Sequence, residues 1–182
     1  MFNILFFLVF SVSCKENNIS HSSILLRTGY SLPVFGHFGD SKSGFEPNFS
    51  YGIGYLKDYD EFFSFGFISD ENLYFKNRAT DIKLKFFSFT PALFIKPDLK
   101  SLGYLYIASG IYHWTSPSSN IFSSTSDDEF GMRVGYARFF CLKKIRIGGG
   151  FEWNYIIGVK GKNFDLGNIN TFVVYLSFKY DF

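Results

Sequence analysis

Large apolar residues recur at every second position along much of this chain, and few folds accept that pattern. Phe49, Tyr51, Ile53 and Tyr55 alternate with Ser50, Gly52 and Gly54. Phe63, Phe65 and Phe67 alternate with Ser64, Gly66 and Ile68, and Phe130, Met132, Val134 and Tyr136 with Gly131, Arg133, Gly135 and Ala137. Phe151, Trp153, Tyr155 and Ile157 alternate with Gly150, Glu152 and Asn154. A strand sends successive side chains to opposite faces, so each stretch reads as a strand with one apolar and one polar or small face. Aromatic residues make up 22% of the 182, with 26 Phe and 12 Tyr, which favours strands over helices. The pattern gives an all-β chain of eight strands, at roughly 22–34, 47–57, 62–71, 80–95, 102–115, 128–141, 145–158 and 170–182. In the fourth, Ile82, Leu84 and Phe86 alternate with Lys83 and Lys85, and Phe87 and Phe89 then break the phase. A bulge near Phe86-Phe87 would produce that break.

The connections alternate in length. Short turns fall at 57–61, 96–101 and 141–144, and long polar loops at 35–47, 70–79, 116–128 and 160–168. This is the rhythm of an up-and-down antiparallel barrel whose two rims face different compartments. Which face points outward follows from the polar side of each strand. Arg27, Gly29, Lys83, Lys85, Gly131, Arg133, Arg146, Glu152, Asn154, Lys179 and Asp181 sit opposite the apolar residues. An eight-stranded barrel has a lumen only wide enough for side chains. Glycines beside a few long charged residues fill it better than Phe from every strand. The expectation is a transmembrane barrel, apolar face to lipid; a soluble barrel with the apolar face inward is the alternative.

The final strand carries Val174, Leu176, Phe178, Tyr180 and Phe182 in alternation and ends on the aromatic residue. This resembles the C-terminal signature of small bacterial outer-membrane β-barrel proteins of the OmpA/OmpX/OmpW-like type. SGIYHW at 109–114, followed by DEFGMRVGYARFF at 128–140, is similar to the Gly-aromatic strand pair of the same superfamily. The resemblance implies a location in the bacterial outer membrane, with its lipid as surroundings and the barrel-assembly machinery as partner during biogenesis. In that family the last strand is the signal this machinery reads.

The opening MFNILFFLVFSVSC reads as an export signal, too short to span a bilayer. The expected division is a signal peptide at 1–14, a polar segment at 15–21 and the barrel at 22–182. Ser11 and Ser13 suit cleavage before Cys14; lipidation of Cys14 is the other processing route.

Few residues suggest chemistry. The net charge is +2 with scattered Lys and Arg, which excludes the basic patch of a nucleic-acid binder. Neither Cys14 nor Cys141 sits in a metal-ligand spacing, and His37 with Asp40 is too small a set for a metal site. No metal and no cofactor are expected. Arg27, Arg133, Arg146, Glu152, Lys179 and Asp181 would share the lumen and must pair, because buried charge is costly unless compensated. A network centred on Glu152 with Arg133 or Arg146 is expected. His113 with Ser116, and Glu129 across the loop, faintly resembles the Ser-His-acid set of outer-membrane lipid A deacylases, though a rim His beside Trp is more often an interfacial anchor. The expected role is structural or surface-interacting and not enzymatic, in a monomer. A narrow porin-like channel and a lipid-modifying enzyme are the alternatives.

Overall fold

The computed structural model describes residues 22–36, 45–77, 82–96, 103–117, 124–142, 145–161 and 164–182. The leader at 1–14, Cys14 and the polar segment 15–21 lie outside these residues, as do His37 and Asp40. Eight strands follow in chain order: β1 Ser22–Gly36, β2 Asn48–Asp58, β3 Phe63–Lys76, β4 Lys83–Ile95, β5 Tyr104–Ser116, β6 Thr125–Leu142, β7 Ile145–Gly161 and β8 Phe164–Asp181. Each pairs antiparallel with its neighbour, and β1 pairs with β8 from Ser23↔Asp181 to Gly36↔Ile169, so the sheet closes. The closing seam ends on reciprocal backbone hydrogen bonds between Ser22 and Phe182, at 3.2 and 2.9 Å. Closure leaves no strand edge without a partner.

The outer surface is a belt of apolar side chains. Leu26, Phe65, Phe89, Ile107, Val134 and Leu176, from six different strands, are each about half exposed. Water solvates such a surface poorly, and a monomer rarely carries so large an apolar patch. Hydrocarbon solvates it well, and the closed ladder supplies every spanning strand with its backbone partners. The fold is therefore a transmembrane barrel with its apolar face outward.

Three expectations are corrected. The strands run further toward the long-loop rim than the alternation implies, because polar residues there continue the ladder. Asp70–Lys76 belongs to β3, and Lys160–Gly161 and Phe164–Asn168 belong to β7 and β8, with Lys160 paired to Asp165 and Gly161 to Phe164. Gly158 and Gly167, at φ 73° and 61°, let the chain accommodate a register shift there that the period-two pattern cannot show.

The bulge expected at Phe86-Phe87 is absent. The register of β4 is continuous through those residues, and the shift lies on β3 between Asn72 and Phe75. The alternation of β4 never breaks; its apolar residues change faces. Leu84 and Phe86 point inward and are buried, whereas Phe87 and Phe89 point outward.

Lys83 and Lys85 accordingly lie on the outer surface and not in the lumen, and Lys85 pairs with Glu71. Other strands switch at the same level. On the outer face Asp128 gives way to Phe130, His113 to Ile111 and Asn170 to Phe172. Aromatic residues with polar handles mark this boundary: Trp153 Nε1 donates to Asn170 Oδ1 (3.0 Å) and the Tyr51 hydroxyl to Glu71 Oε2 (2.5 Å). Above it the barrel inverts, with a polar outside and an apolar core around Phe75, Leu84, Phe86, Trp114, Val159 and Leu166.

Placing Arg at Val134 should destabilise the refolded barrel by about 2–4 kcal/mol in urea titrations in lipid vesicles, because that side chain faces the middle of the belt. The same change at Ser126, outward-facing on the same strand but beyond the boundary, should move the midpoint little.

Candidate functional site: a charged layer across the lumen

The lumen is crossed at mid-height by four charged side chains from four strands. Arg27 of β1 donates through Nη2 to Glu152 Oε2 at 2.6 Å and approaches Asp70 Oδ2 with Nη1 at 3.4 Å. Arg133 of β6 donates to the same Asp70 oxygen and lies 3.5 Å from Glu152 Oε1. Each guanidinium therefore touches both carboxylates. All four are buried, Arg133 to 1% exposure and Glu152 to 2%. Buried ions persist only where most lone pairs and protons are matched, and neutral groups extend the matching here. Tyr106 donates to Glu152 Oε2 (2.5 Å), Asn154 Nδ2 to Glu152 Oε1 (3.1 Å) and Arg133 Nη2 to Ser88 Oγ (2.6 Å). The Tyr112 hydroxyl accepts from Arg133 Nε (3.3 Å) and donates to Asn154 Oδ1 (3.0 Å).

Glycines make room for this layer. A Cβ at Gly52 would overlap Asp70 Oδ1, one at Gly135 would overlap the Tyr106 ring and one at Gly131 would fall 2.6 Å from Tyr112. The alternating glycines of β2 and β6 thus hold the space that the acid and the two tyrosines occupy.

Arg146, Lys179 and Asp181 lie elsewhere, in a second layer near the short-turn rim. Asp181 accepts from Ser23 Oγ at 2.8 Å and lies 2.8 Å from Arg146 Nε, with Lys179 Nζ at 3.4 Å. Lys96 and Asp58 form a further pair there, at 2.8 Å. Arg146 does not reach Glu152; Arg27 takes the place expected of it. Asp70 is missing from the expected network because DENLYFKNRA reads as a loop. Its signal is weak: Asp70 keeps the phase of Ser64, Gly66 and Ile68 on the inner face.

His113 and Ser116 are not brought together. His113 faces outward, its Nδ1 2.7 Å from Asp128 Oδ1, whereas Ser116 is buried on the inner face. Opposite faces of one strand cannot form a nucleophile-base pair. Among the described residues no His, Cys, Asp and Glu cluster could hold a metal ion. At the tip of the β7–β8 hairpin Asp165 accepts the Gly167 N–H (2.9 Å) and lies 3.1 Å from Lys160 Nζ, and both hold its carboxyl below the usual range. Val174, Leu176, Phe178, Tyr180 and Phe182 all face outward on the seam strand.

No protein-family model matches the sequence. No curated protein matches it either. Solved structures do. Neisserial surface protein A aligns with 90% of this chain and 97% of its own at 14% identity and a TM-score of 0.54. Ail, the attachment invasion locus protein of Yersinia pestis, crystallised with the heparin analogue sucrose octasulfate, aligns with 88% and 99% at 15% identity and a TM-score of 0.55. The N-terminal β-barrel domain of Pseudomonas aeruginosa OprF aligns with 90% and 100% at 9% identity and a TM-score of 0.50. At these identities the likeness is one of fold, and it covers nearly all of the chain. With the closed ladder and the apolar belt, it shows that this chain has the fold of the small eight-stranded outer-membrane β-barrel proteins.

Proposed function

We propose that this protein is a bacterial outer-membrane barrel with a structural or surface-interacting role and a lumen closed to solutes. The observation that carries the reading is the mid-height layer: Arg27, Asp70, Arg133 and Glu152 span the lumen with their hydrogen-bonding capacity turned on one another. The apolar core above the layer, around Trp114 and Phe86, supports it, since a water-filled path would not be lined by such residues. The function then lies at the long-loop rim, which stands clear of the apolar belt and presents polar strand ends to a partner or glycan. Ail was solved with a sulfated heparin analogue, and the exposed Lys76 and Lys83, directly opposite each other across β3 and β4, make a polyanion a reasonable class of partner here too. Biogenesis through the barrel-assembly machinery, reading Val174 to Phe182, and a monomeric state belong to the same reading. So does the absence of an enzymatic role, which the separation of His113 from Ser116 supports.

In planar bilayers the purified barrel should give no resolved conductance steps. Steps whose size changes on Glu152→Gln would favour the porin-like reading. The same variant should lose about 3–5 kcal/mol of unfolding free energy, because it leaves two buried guanidinium groups facing one carboxylate. Urea unfolding in vesicles followed by Trp fluorescence checks this.

A further inference from the structure

One cation interrupts the apolar outer run of β6. Phe130, Met132, Val134 and Tyr136 face lipid, Arg138 follows in the same phase, and Phe140 continues the run beyond it. Arg138 therefore leaves the barrel wall on its outer side. It stands four residues before the strand end at Leu142, on the half of β6 nearer the short-turn rim. A charge on the lipid face is costly at mid-bilayer and tolerated where its head reaches the interface. The guanidinium lies over the Phe140 ring, 5.5 Å from its centroid, and so is drawn toward that rim.

The strands on either side leave a notch around it. Its partner on β7 is Gly149, and on the β5 side Gly103 lies against the Arg138 Cα. Neither neighbour has a side chain. A Cβ at Gly149 would meet only the Tyr175 carbonyl oxygen (3.0 Å) and Leu176 Cδ2 (3.6 Å), so the notch is open toward lipid. The next outward residues on the flanking strands, Leu105, Ile147 and Phe151, are apolar. Among the described residues no carboxylate or carbonyl accepts from the guanidinium, whose one contact is the Phe140 ring. Stacking uses the face of the guanidinium and leaves its edge N–H groups to donate. A fork of donors at the lipid interface matches a phosphate, and its uncompensated charge selects a lipid of net negative charge. The short turns of such barrels face the periplasm, so the lipid is a phospholipid of that leaflet.

We propose that Arg138 and the notch between Gly103 and Gly149 form a site for one anionic phospholipid of the periplasmic leaflet. The lipid phosphate takes the edge N–H groups of the guanidinium, and an acyl chain lies over Gly149 beside Leu176. The site stands whether or not the lumen conducts, since it depends only on the outer surface.

The test uses the refolded full barrel in mixed micelles of detergent, phosphatidylcholine and phosphatidylglycerol, with native mass spectrometry counting the lipids that stay bound. One phosphatidylglycerol should be retained in preference to phosphatidylcholine. Arg138→Met, which keeps an apolar stem on the lipid face, should weaken that retention about fivefold. Gly149→Leu keeps the charge and fills the notch, and should weaken it as well while the unboiled barrel keeps its mobility in SDS. Lys57→Met removes another outward-facing cation near the short-turn rim and should change nothing. Equal retention of the two lipids by the unaltered barrel would overturn the proposal. So would equal losses in Lys57→Met and Arg138→Met, which would show diffuse charge attraction, or undiminished retention in Gly149→Leu.

Discussion

The whole structure depends on the closure of one backbone ladder. A strand inside hydrocarbon has no water to satisfy its N–H and C=O groups, so the sheet must return on itself. The β1–β8 seam does this, ending on the reciprocal bonds between Ser22 and Phe182. Closure on eight strands also sets the width of the interior. Eight strands leave an interior just wide enough for side chains to fill. Fillers that are charged must arrive as matched sets, which is why Arg27, Arg133, Asp70 and Glu152 come from four different strands to one level.

The lumen is best understood as stacked layers. From the short-turn rim upward come an ionic layer around Asp181, an apolar layer, the mid-height ionic layer and an apolar core around Trp114. The outer face changes from apolar to polar near the level where the apolar core begins. One chain thus has the cross-section of a membrane barrel in its lower part and of a soluble barrel at its long-loop rim. The two cross-sections share the same strands, so the rim is held by the hydrogen bonds that anchor the barrel in lipid.

That inversion explains which features are legible in the sequence. Strand count, antiparallel order and the outward apolar face follow from the period-two runs, because Phe130 to Tyr136 and Phe172 to Phe182 keep one phase throughout the belt. The break at Phe86-Phe87 misleads, since a change of environment along a straight strand produces the same pattern as a bulge. Polar strand ends at Asp70–Lys76, Lys160–Gly161 and Phe164–Asn168 read as loops because polar and charged residues dominate them, and Phe75 and Leu166 stand on the inner face with no apolar outer face to mark a strand. The charged layer is half legible. Arg133 and Glu152 sit in clean strands, whereas Asp70 is hidden in such an end, and the choice of Arg27 over Arg146 depends on register. The small residues carry a subtler message: Gly52, Gly131 and Gly135 look like weak strand formers, and their purpose emerges only when Asp70, Tyr112 and Tyr106 are seen occupying their side-chain space.

The central claim is that a closed barrel carries its apolar face into lipid. The most direct measurement is the mobility of the membrane-fraction protein in SDS, unheated and boiled. A closed membrane barrel keeps its ladder in cold SDS and unfolds on boiling, so the account predicts two distinct mobilities for protein found in the outer-membrane fraction. A single mobility, with the protein recovered in the soluble fraction without detergent, would contradict it and turn the aromatic face inward.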